Sequence, residues 1–204
     1  MKEIVYQENI YPGTRAELVA RLREVLSDHR FQHVLGVEQA AIKLAEQNGC
    51  SVEKASVAAL LHDYTKERSA EDFIAAIKAY HLDPDLLRWG NFIWHGVVGA
   101  EMVKTELHVT DEEILNAIRR HTVGAVTMTT LDKIVYVADY IEAGRSFPGV
   151  EQARKLAATD LDQAVSFETK HTIQFLMEQN KPVYPQAILT YNRWVAGKNR
   201  RIYE

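Results

Sequence analysis

Residues 58–67, with the sequence AALLHDYTKE, place a histidine and an aspartate directly after four apolar residues. The apolar run is typical of a buried helix, and burying His62 and Asp63 there without partners would cost several kcal/mol. Consecutive helical residues point about 100° apart, so both side chains can flank one point just off the helix surface. A local ion pair, ordinary hydrogen bonds or a bound cation would each compensate, and the dipeptide alone leaves the choice open.

Two more polar residues interrupt apolar helical stretches elsewhere in the chain. His33 lies in HRFQHVLGV and Asp139 in IVYVADYIE. A carboxylate in such surroundings has its pKa raised and becomes neutral unless a positive charge keeps it ionised. A metal ion would provide that charge, and so would Arg145 or Lys133. Together with the HD pair, these residues form an ordered series, H…HD…D, that suits one ion of iron, manganese or zinc: His33, His62, Asp63 and Asp139.

Two histidines fall between the third and fourth members of this series. His95 opens the stretch HGVVGAEMVKTEL, which we expect to be one helix, and His121 ends the stretch AIRRH. Each has a structural interpretation, His95 as a helix start and His121 as a partner of the helix C-terminal dipole. As functional groups, they would hold a second metal ion or contact a substrate phosphate.

Three basic residues are placed beside the candidate ligands. Arg30 lies three residues before one ligand and Lys66 three residues after another, so each shares a helix face with its neighbour. Arg145 lies just past the last ligand. Ordinary solvated surface residues are the alternative. A metal ion with a basic fringe suits hydrolysis of a phosphate ester or anhydride, because the ion activates water and the cations stabilise charge on the transferred group.

Helix signals recur along the rest of the chain, whereas strand-like alternation is scarce. Capping boxes, in which a Ser or Thr is followed three residues later by an acidic residue, are predicted to begin at Thr14, Ser69 and Thr110. We therefore predict an all-α fold, a single helical bundle of roughly ten helices.

The length of 204 residues and the 47% apolar composition suit one ordered domain. We expect that domain to span residues 1–204, with a core of about 14–180 and a C-terminal helix of about 185–195 packed on it. A net charge of −4 argues against nucleic acid or an anionic membrane surface as a partner. The single Cys50 fits a reducing compartment, and no signal peptide is visible, so we expect a cytoplasmic protein.

The motifs around these residues resemble those of the YqeK family of bacterial proteins, within the HD-domain phosphohydrolase superfamily. The resemblance rests on RFQHVLGVEQAAIKLA, AALLHDYTKE and HGVVGAEMV, and above all on AIRRHTVGAVTMTTLDKIVYVADYIEAGRSFPGV. It extends from about residue 13 to residue 195, which is nearly the whole chain. The long segment is much more specific than the HD dipeptide alone.

This resemblance implies an all-helical HD fold, iron as the metal and a homodimer. The implied reaction is the symmetrical hydrolysis of diadenosine tetraphosphate (Ap4A) to two ADP, by attack of metal-bound hydroxide on a central phosphate. Motif positions imply the same four metal ligands. They also imply catalytic roles for Asp63, Lys66, His95 and His121, with either histidine as proton donor. The residues expected to contact the substrate are Arg30, Asp63, Lys66, His95, His121, Thr122, Arg145 and Tyr184.

Three other interpretations stay open at this point. A generic HD nucleotidase would act on mononucleotides, and a non-catalytic HD module would bind a nucleotide and report it to a partner. A purely structural helical protein would leave two imidazoles and two carboxylates without compensation. Tyr184 has a packing alternative to stacking on adenosine.

Overall fold

The computed structural model describes residues 4–197, and every regular element in that part of the chain is a helix. The all-α prediction is confirmed, with eleven α-helices and one 3₁₀-helix in the described range. The α-helices are α1 Arg15–Val25, α2 Asp28–Gln47, α3 Val52–Leu61, α4 Ala70–Ala79, α5 Asn91–Val97, α6 Gly99–Leu107, α7 Glu112–Arg120, α8 Thr130–Ile141, α9 Val150–Ala157, α10 Leu161–Glu178 and α11 Pro185–Trp194. The 3₁₀-helix Pro84–Arg88 lies between α4 and α5.

The helix starts show which capping predictions hold. Thr14 and Ser69 each complete a capping box, as predicted. The box predicted at Thr110 is wrong, because the next residue caps α7 instead. The carboxylate of Asp111 accepts hydrogen bonds from the backbone N–H groups at positions 113 (2.9 Å) and 114 (3.2 Å). An aspartate there satisfies two free donors and adds negative charge at the positive end of the helix dipole.

The single helix predicted over HGVVGAEMVKTEL is also wrong. α5 ends at Val97 and α6 begins at Gly99, so His95 lies near the end of α5 instead of opening a helix. The hydroxyl of Thr65 donates to the carbonyl of His95 at 3.2 Å. The same threonine lies so close to Gly99 that a side chain there would collide with it. The interruption between α5 and α6 lies at the point where Thr65 contacts both helices.

α3 is buried on every side, and this fixes where the candidate site lies. All seven residues from Ala55 to Leu61 are fully shielded from solvent. A helix that is shielded all round belongs to the interior, and α2, α7 and α8 pack against it. Because α3 ends at Leu61, the His-Asp pair that follows lies where these neighbouring helices converge.

The C-terminal helix is tied to the segment that follows α7. The hydroxyl of Thr190 donates to the carbonyl of Val123, and the indole of Trp194 donates to the carbonyl of Ala125, both at 2.8 Å. α11 also packs on α10. The helix predicted over about 185–195 is therefore present, whereas residues 198–204 of the expected domain lie outside the described residues. None of the helices within residues 4–197 combines the length and apolarity needed to cross a membrane.

A buried carboxylate joins the first three helices. Glu38, which is 1% exposed, accepts hydrogen bonds from Arg15 Nε at 2.7 Å and from Ser56 Oγ at 2.5 Å. The Tyr6 hydroxyl lies 2.7 Å from the same serine oxygen. Arg15 is the cation that compensates the buried charge of Glu38, and the pair holds α1 to α2. Loss of the arginine alone would be strongly destabilising, because it would leave the carboxylate buried without a partner.

Replacing Arg15 with alanine should lower the free energy of unfolding by about 3 kcal/mol, because it leaves Glu38 buried and uncompensated. Urea denaturation measures the change. Arg23→Ala is the matched control, since Arg23 pairs with Asp28 in solvent, and it should cost less than about 1 kcal/mol. Equal, small losses for both variants would contradict the role given to Arg15.

Candidate metal centre

Six titratable side chains from five helices converge at the end of α3. They are His33 on α2, His62 and Asp63 after α3, His95 on α5, His121 after α7 and Asp139 on α8. Five of these side chains are at most 5% exposed, whereas that of Asp139 is 24% exposed. The centre therefore lies inside the bundle and opens to solvent on the side of Asp139.

The four residues of the predicted H…HD…D series lie together. Nε2 of His33 is 3.0 Å from Oδ1 of Asp139, and Nε2 of His62 is 3.8 Å from the same oxygen. Oδ2 of Asp63 lies 3.6 Å from Nε2 of His33 and 3.5 Å from Nε2 of His62. Each of the two nitrogens therefore lies within 3.8 Å of an oxygen of Asp63 and of an oxygen of Asp139, and their joint binding of one ion stays a prediction.

The other oxygen of Asp63 faces the remaining two histidines. Its Oδ1 lies 3.5 Å from Nε2 of His95 and 3.9 Å from Nε2 of His121. Ligand atoms of His62, Asp63 and His121 all lie within 4.8 Å of one another, which is close enough for a shared ion. Asp63 thus stands between two adjoining sets of possible ligand atoms.

Backbone carbonyls fix the orientation of three of the four imidazole rings. Nδ1 of His62 donates to the carbonyl of Ala59 at 2.6 Å, and Nδ1 of His121 donates to that of Ile118 at 2.7 Å. Nδ1 of His95 donates to a carbonyl one turn earlier in the same way. Since a carbonyl only accepts, each proton sits on Nδ1, and the lone pair on Nε2 faces the centre.

Three of the four Nε2 atoms that face the centre have no hydrogen-bond partner among the described residues. These atoms, on His33, His62 and His121, are buried and unbonded within residues 4–197, although Nε2 of His33 lies 3.0 Å from Oδ1 of Asp139. Buried polar atoms are almost always satisfied, so three unsatisfied nitrogens aimed at one point need a ligand. Neutral imidazole nitrogens and carboxylate oxygens are the donors that iron, manganese and zinc accept. The residues present therefore fit a divalent metal ion.

Burial sets the charge of these groups. Burial lowers the pKa of His62, and burial together with the neighbouring imidazole lowers the pKa of His121 to about 4. Burial alone would raise the pKa of Asp63 and of Asp139, but the surrounding imidazoles outweigh it and hold both pKa values below their usual range. At neutral pH, His62 and His121 are thus neutral while Asp63 and Asp139 are ionised, which is the form that binds metal.

Glu142 is a functional residue that the sequence reasoning missed. His33 is the one histidine of the centre whose Nδ1 has a carboxylate as partner, Oε1 of Glu142 at 3.2 Å. The same side chain accepts a hydrogen bond from the backbone of Gly144 and lies against Gly36. A carboxylate behind a ligating imidazole fixes its orientation and raises its basicity. The local sequence YIEAGR gives no indication of this contact, because Glu142 and His33 are 109 positions apart in the chain.

The three predicted cations surround the carboxylates. Arg30 Nη1 donates to Oδ2 of Asp63 at 2.6 Å, and Arg145 donates both to the side chain and to the carbonyl of Asp139. Lys66 Nζ lies 3.1 Å from Nε2 of His95, and burial lowers the pKa of this lysine. The other cation considered for Asp139, Lys133, pairs with Asp162 instead.

A cavity of about 750 Å³ lies beside the centre, with Arg30, His33, Gly36 and Arg145 among its lining residues. Its size and basic rim suit a phosphorylated ligand. The remaining two predicted contacts are placed differently. Thr122 follows His121 and has a buried hydroxyl oxygen without a partner. Tyr184 packs edge-to-face on Trp89, with ring centroids 4.9 Å apart, so its stacking on adenosine stays a prediction.

The model of the HD domain family matches residues 30–144, a range that holds all six side chains of the centre. The helices and the centre thus define an HD domain, the class of protein that the H…HD…D series indicates.

Comparison with similar proteins identifies the family to which the chain belongs within the class of HD-domain proteins. The chain is 47% identical to the symmetrical bis(5'-nucleosyl)-tetraphosphatase of Bacillus subtilis over 90% of this chain and 98% of that protein. It is 38% identical to the protein of the same name from Staphylococcus aureus, over 81% of this chain and 87% of that one. A crystal structure of an HD superfamily hydrolase from Clostridium acetobutylicum, described as involved in NAD metabolism, has a TM-score of 0.85 and 33% identity. It covers 91% of this chain and 98% of that one. The chain belongs to the YqeK family of HD-domain proteins, that of the symmetrical bis(5'-nucleosyl)-tetraphosphatases.

Replacing Glu142 with alanine should weaken metal binding by about 10- to 100-fold, because His33 loses the carboxylate behind it. The metal affinity of Glu142→Gln should lie between that of Glu142→Ala and that of the parent, since the amide oxygen still accepts a hydrogen bond from Nδ1 of His33. Titration against a competing chelator measures the affinity. Glu151→Ala, at an exposed position on α9, is the control and should bind like the parent. An unchanged affinity in Glu142→Ala would remove this residue from the centre.

The metal-free protein should become less stable as the pH falls from 7.5 to 5. Burial lowers the pKa of His121 from its ordinary value of 6.5 to about 4 in the folded chain, so the unfolded chain takes up a proton that the folded chain does not. This one group should lower the free energy of unfolding by about 2 kcal/mol at pH 5. Urea denaturation of chelator-treated protein at both pH values checks the sign, and a rise in stability at pH 5 would contradict it.

Proposed function

We propose that this protein hydrolyses Ap4A symmetrically to two ADP in a metal-dependent reaction. The observation that carries the proposal is the set of three buried imidazole nitrogens without hydrogen bonds, aimed with two carboxylates at one centre. The names of the relatives at 47% and 38% identity support the substrate. Catalysis in this account is the work of one HD domain.

The proposed metal is iron, with manganese or zinc as alternatives that the same donors accept. His33, His62, Asp63 and Asp139 would hold one ion. His95 and His121 would hold a second, with Asp63 between the two. When bound, the metal supplies an activated water at neutral pH and polarises the phosphoryl oxygen.

The cations of the chain would then position the phosphates. Arg30 and Arg145 line the cavity beside the centre and already contact its carboxylates. An incoming polyphosphate offers them oxygens of the same charge and geometry as those carboxylates. Lys66 lies on the other side of Asp63, near His95. The three cations would stabilise the negative charge that builds on the attacked phosphate and on the departing ADP.

Lys66 is the best placed of these residues to give a proton to the leaving phosphate. His95 and His121 each have their one N–H held by a backbone carbonyl, with the lone pair toward the centre. These two rings therefore have no proton free on the side where a substrate would lie. The ammonium group of Lys66 has three protons, and its contact with the His95 ring uses only part of them.

Attack at a central phosphate gives two equal halves if the substrate is held with its middle at the centre. Thr122, with its unsatisfied hydroxyl, would contact a phosphate on the side of His121. A homodimer, a cytoplasmic location and the absence of nucleic acid as a partner remain part of this proposal.

The direct test is separation of reaction products by liquid chromatography. The metal-loaded protein should convert Ap4A to ADP alone, and it should release no phosphate from ATP, ADP or AMP. Treatment with a chelator should stop turnover, and added iron or manganese should restore it. Phosphate release from mononucleotides would favour the generic nucleotidase, whereas nucleotide binding without turnover would favour a sensing module.

Variants at Lys66 test its assigned role in that assay. Lys66→Met should lower kcat for Ap4A by about 100-fold or more, because charge on the leaving phosphate loses its stabilisation. The bound metal content should stay the same. Lys104→Met, on the surface of α6, should behave like the parent. Full activity in Lys66→Met would contradict the mechanism.

A further inference from the structure

A second cavity, of about 570 Å³, opens between the end of α8, the loop after it and α10. Its apolar walls are Tyr140, Phe147, Pro148 and Phe175, and Thr172 and Gln174 add polar groups. We call this the aromatic cavity. Tyr140 and Phe147 meet edge-to-face with centroids 4.8 Å apart, while Phe175 is 53% exposed. Rings exposed in a concave site are available to a flat partner.

The walls of the aromatic cavity are chain neighbours of the metal centre. Tyr140 directly follows Asp139, and Phe147 comes two residues after Arg145. Consecutive Cα atoms are about 3.8 Å apart, so the backbone of Phe147 lies within about 7.6 Å of that of Arg145. Two wall residues of the aromatic cavity are therefore within two positions of Asp139 and Arg145, although Arg145 itself lines the cavity beside the centre.

One face of α10 leads from the centre to the aromatic cavity. Glu168, Thr172 and Phe175 are spaced by four and three residues and share that face. Glu168 is 6% exposed, and burial together with the Asp139 carboxylate raises its pKa well above the usual value. The same glutamate contributes to the raised pKa of Tyr140, after burial. Glu168 is thus electrostatically coupled both to Asp139 of the centre and to Tyr140 in the wall of the cavity.

Glu168 also has an atom that the fold does not use. Its Oε2 is buried and makes no hydrogen bond among the described residues. A carboxyl oxygen accepts hydrogen bonds, and nucleosides offer ribose hydroxyls and amino groups as donors. The aromatic cavity and the unpaired Oε2 of Glu168 lie along one face of α10. Together they suit a ligand that has a flat ring at one end and polar groups at the other, as a nucleoside does.

We propose that the aromatic cavity binds the purine base of one half of the dinucleotide, with its phosphates held at Arg145. The proposal rests on the function proposed above, because it takes a nucleoside polyphosphate as the ligand. Stacking on Phe147 and Phe175 would hold the base, and the polar groups of Thr172 and Gln174 would meet its edge. This half is then the ADP that stays bound while the other half leaves toward solvent.

The test compares two product-like probes, ADP and methylenediphosphonate, which lacks the nucleoside. Calorimetry with the metal-loaded protein gives the affinity for each. Phe175→Ala and Phe147→Leu should each weaken ADP binding by about 10-fold, within the range that loss of base stacking gives. Neither should change the affinity for methylenediphosphonate. Met177→Ala is the matched control, since Met177 is 66% exposed on the same helix and is not part of the cavity wall.

Steady-state kinetics and sedimentation complete the test. The KM for Ap4A should rise in both aromatic variants while kcat changes little, because the base is held alike in the ground state and the transition state. Equal affinities of parent and variants for ADP would overturn the proposal. So would a change in oligomeric state without a change in ADP affinity, which would make the cavity a contact between two copies. Binding of ADP is measured without turnover, so failure of the proposed function alone would still leave the stacking result readable.

Discussion

The cost of burying titratable groups at the end of α3 is the constraint on which the rest of the structure depends. Four imidazoles and the carboxylate of Asp63 lie in an interior from which water is largely excluded, with Asp139 at its edge. Such groups are tolerated only when every polar atom has a partner. Backbone carbonyls satisfy Nδ1 of three rings and Glu142 satisfies that of His33, whereas several Nε2 atoms remain without one. A bound metal ion would satisfy these Nε2 atoms. The same buried groups would then determine both how the helices converge and what the protein does.

Much of this could be predicted from sequence, because an intruding polar residue in an apolar helix is visible without any structure. The H…HD…D series came from such intrusions, whereas the all-α class came from the recurring helix signals along the chain. Glu142 could not be found that way, since an acid at a helix end is ordinary and its contact with His33 depends on how α2 crosses α8. The break before Gly99 was invisible for a related reason. Both sides of it are apolar, and the cause is Thr65 on another segment. The cap of α7 was misassigned by one residue because two adjacent residues can both cap.

The metal centre and the residues around it have different roles in the hydrolysis of a phosphoanhydride. The buried imidazoles and carboxylates fit a divalent metal ion, and in the proposed function the three cations would bind phosphate. Glu142 keeps one ligand in place from behind. On the solvent side, the chain turns directly from Asp139 and Arg145 into an aromatic cavity, so the place for phosphate and the proposed place for a base are coupled by a few residues of backbone. This arrangement explains how one half of a long substrate could be held while the other departs.

The most direct measurement is a crystal structure of the protein purified without chelator, with anomalous diffraction data collected at the iron, manganese and zinc absorption edges. The account predicts an anomalous peak at about 2.0–2.3 Å from Nε2 of His33 and of His62, with Asp63 and Asp139 completing the ligand set. Absence of any peak, or imidazole rings turned so that Nε2 atoms bond to protein groups instead, would contradict it.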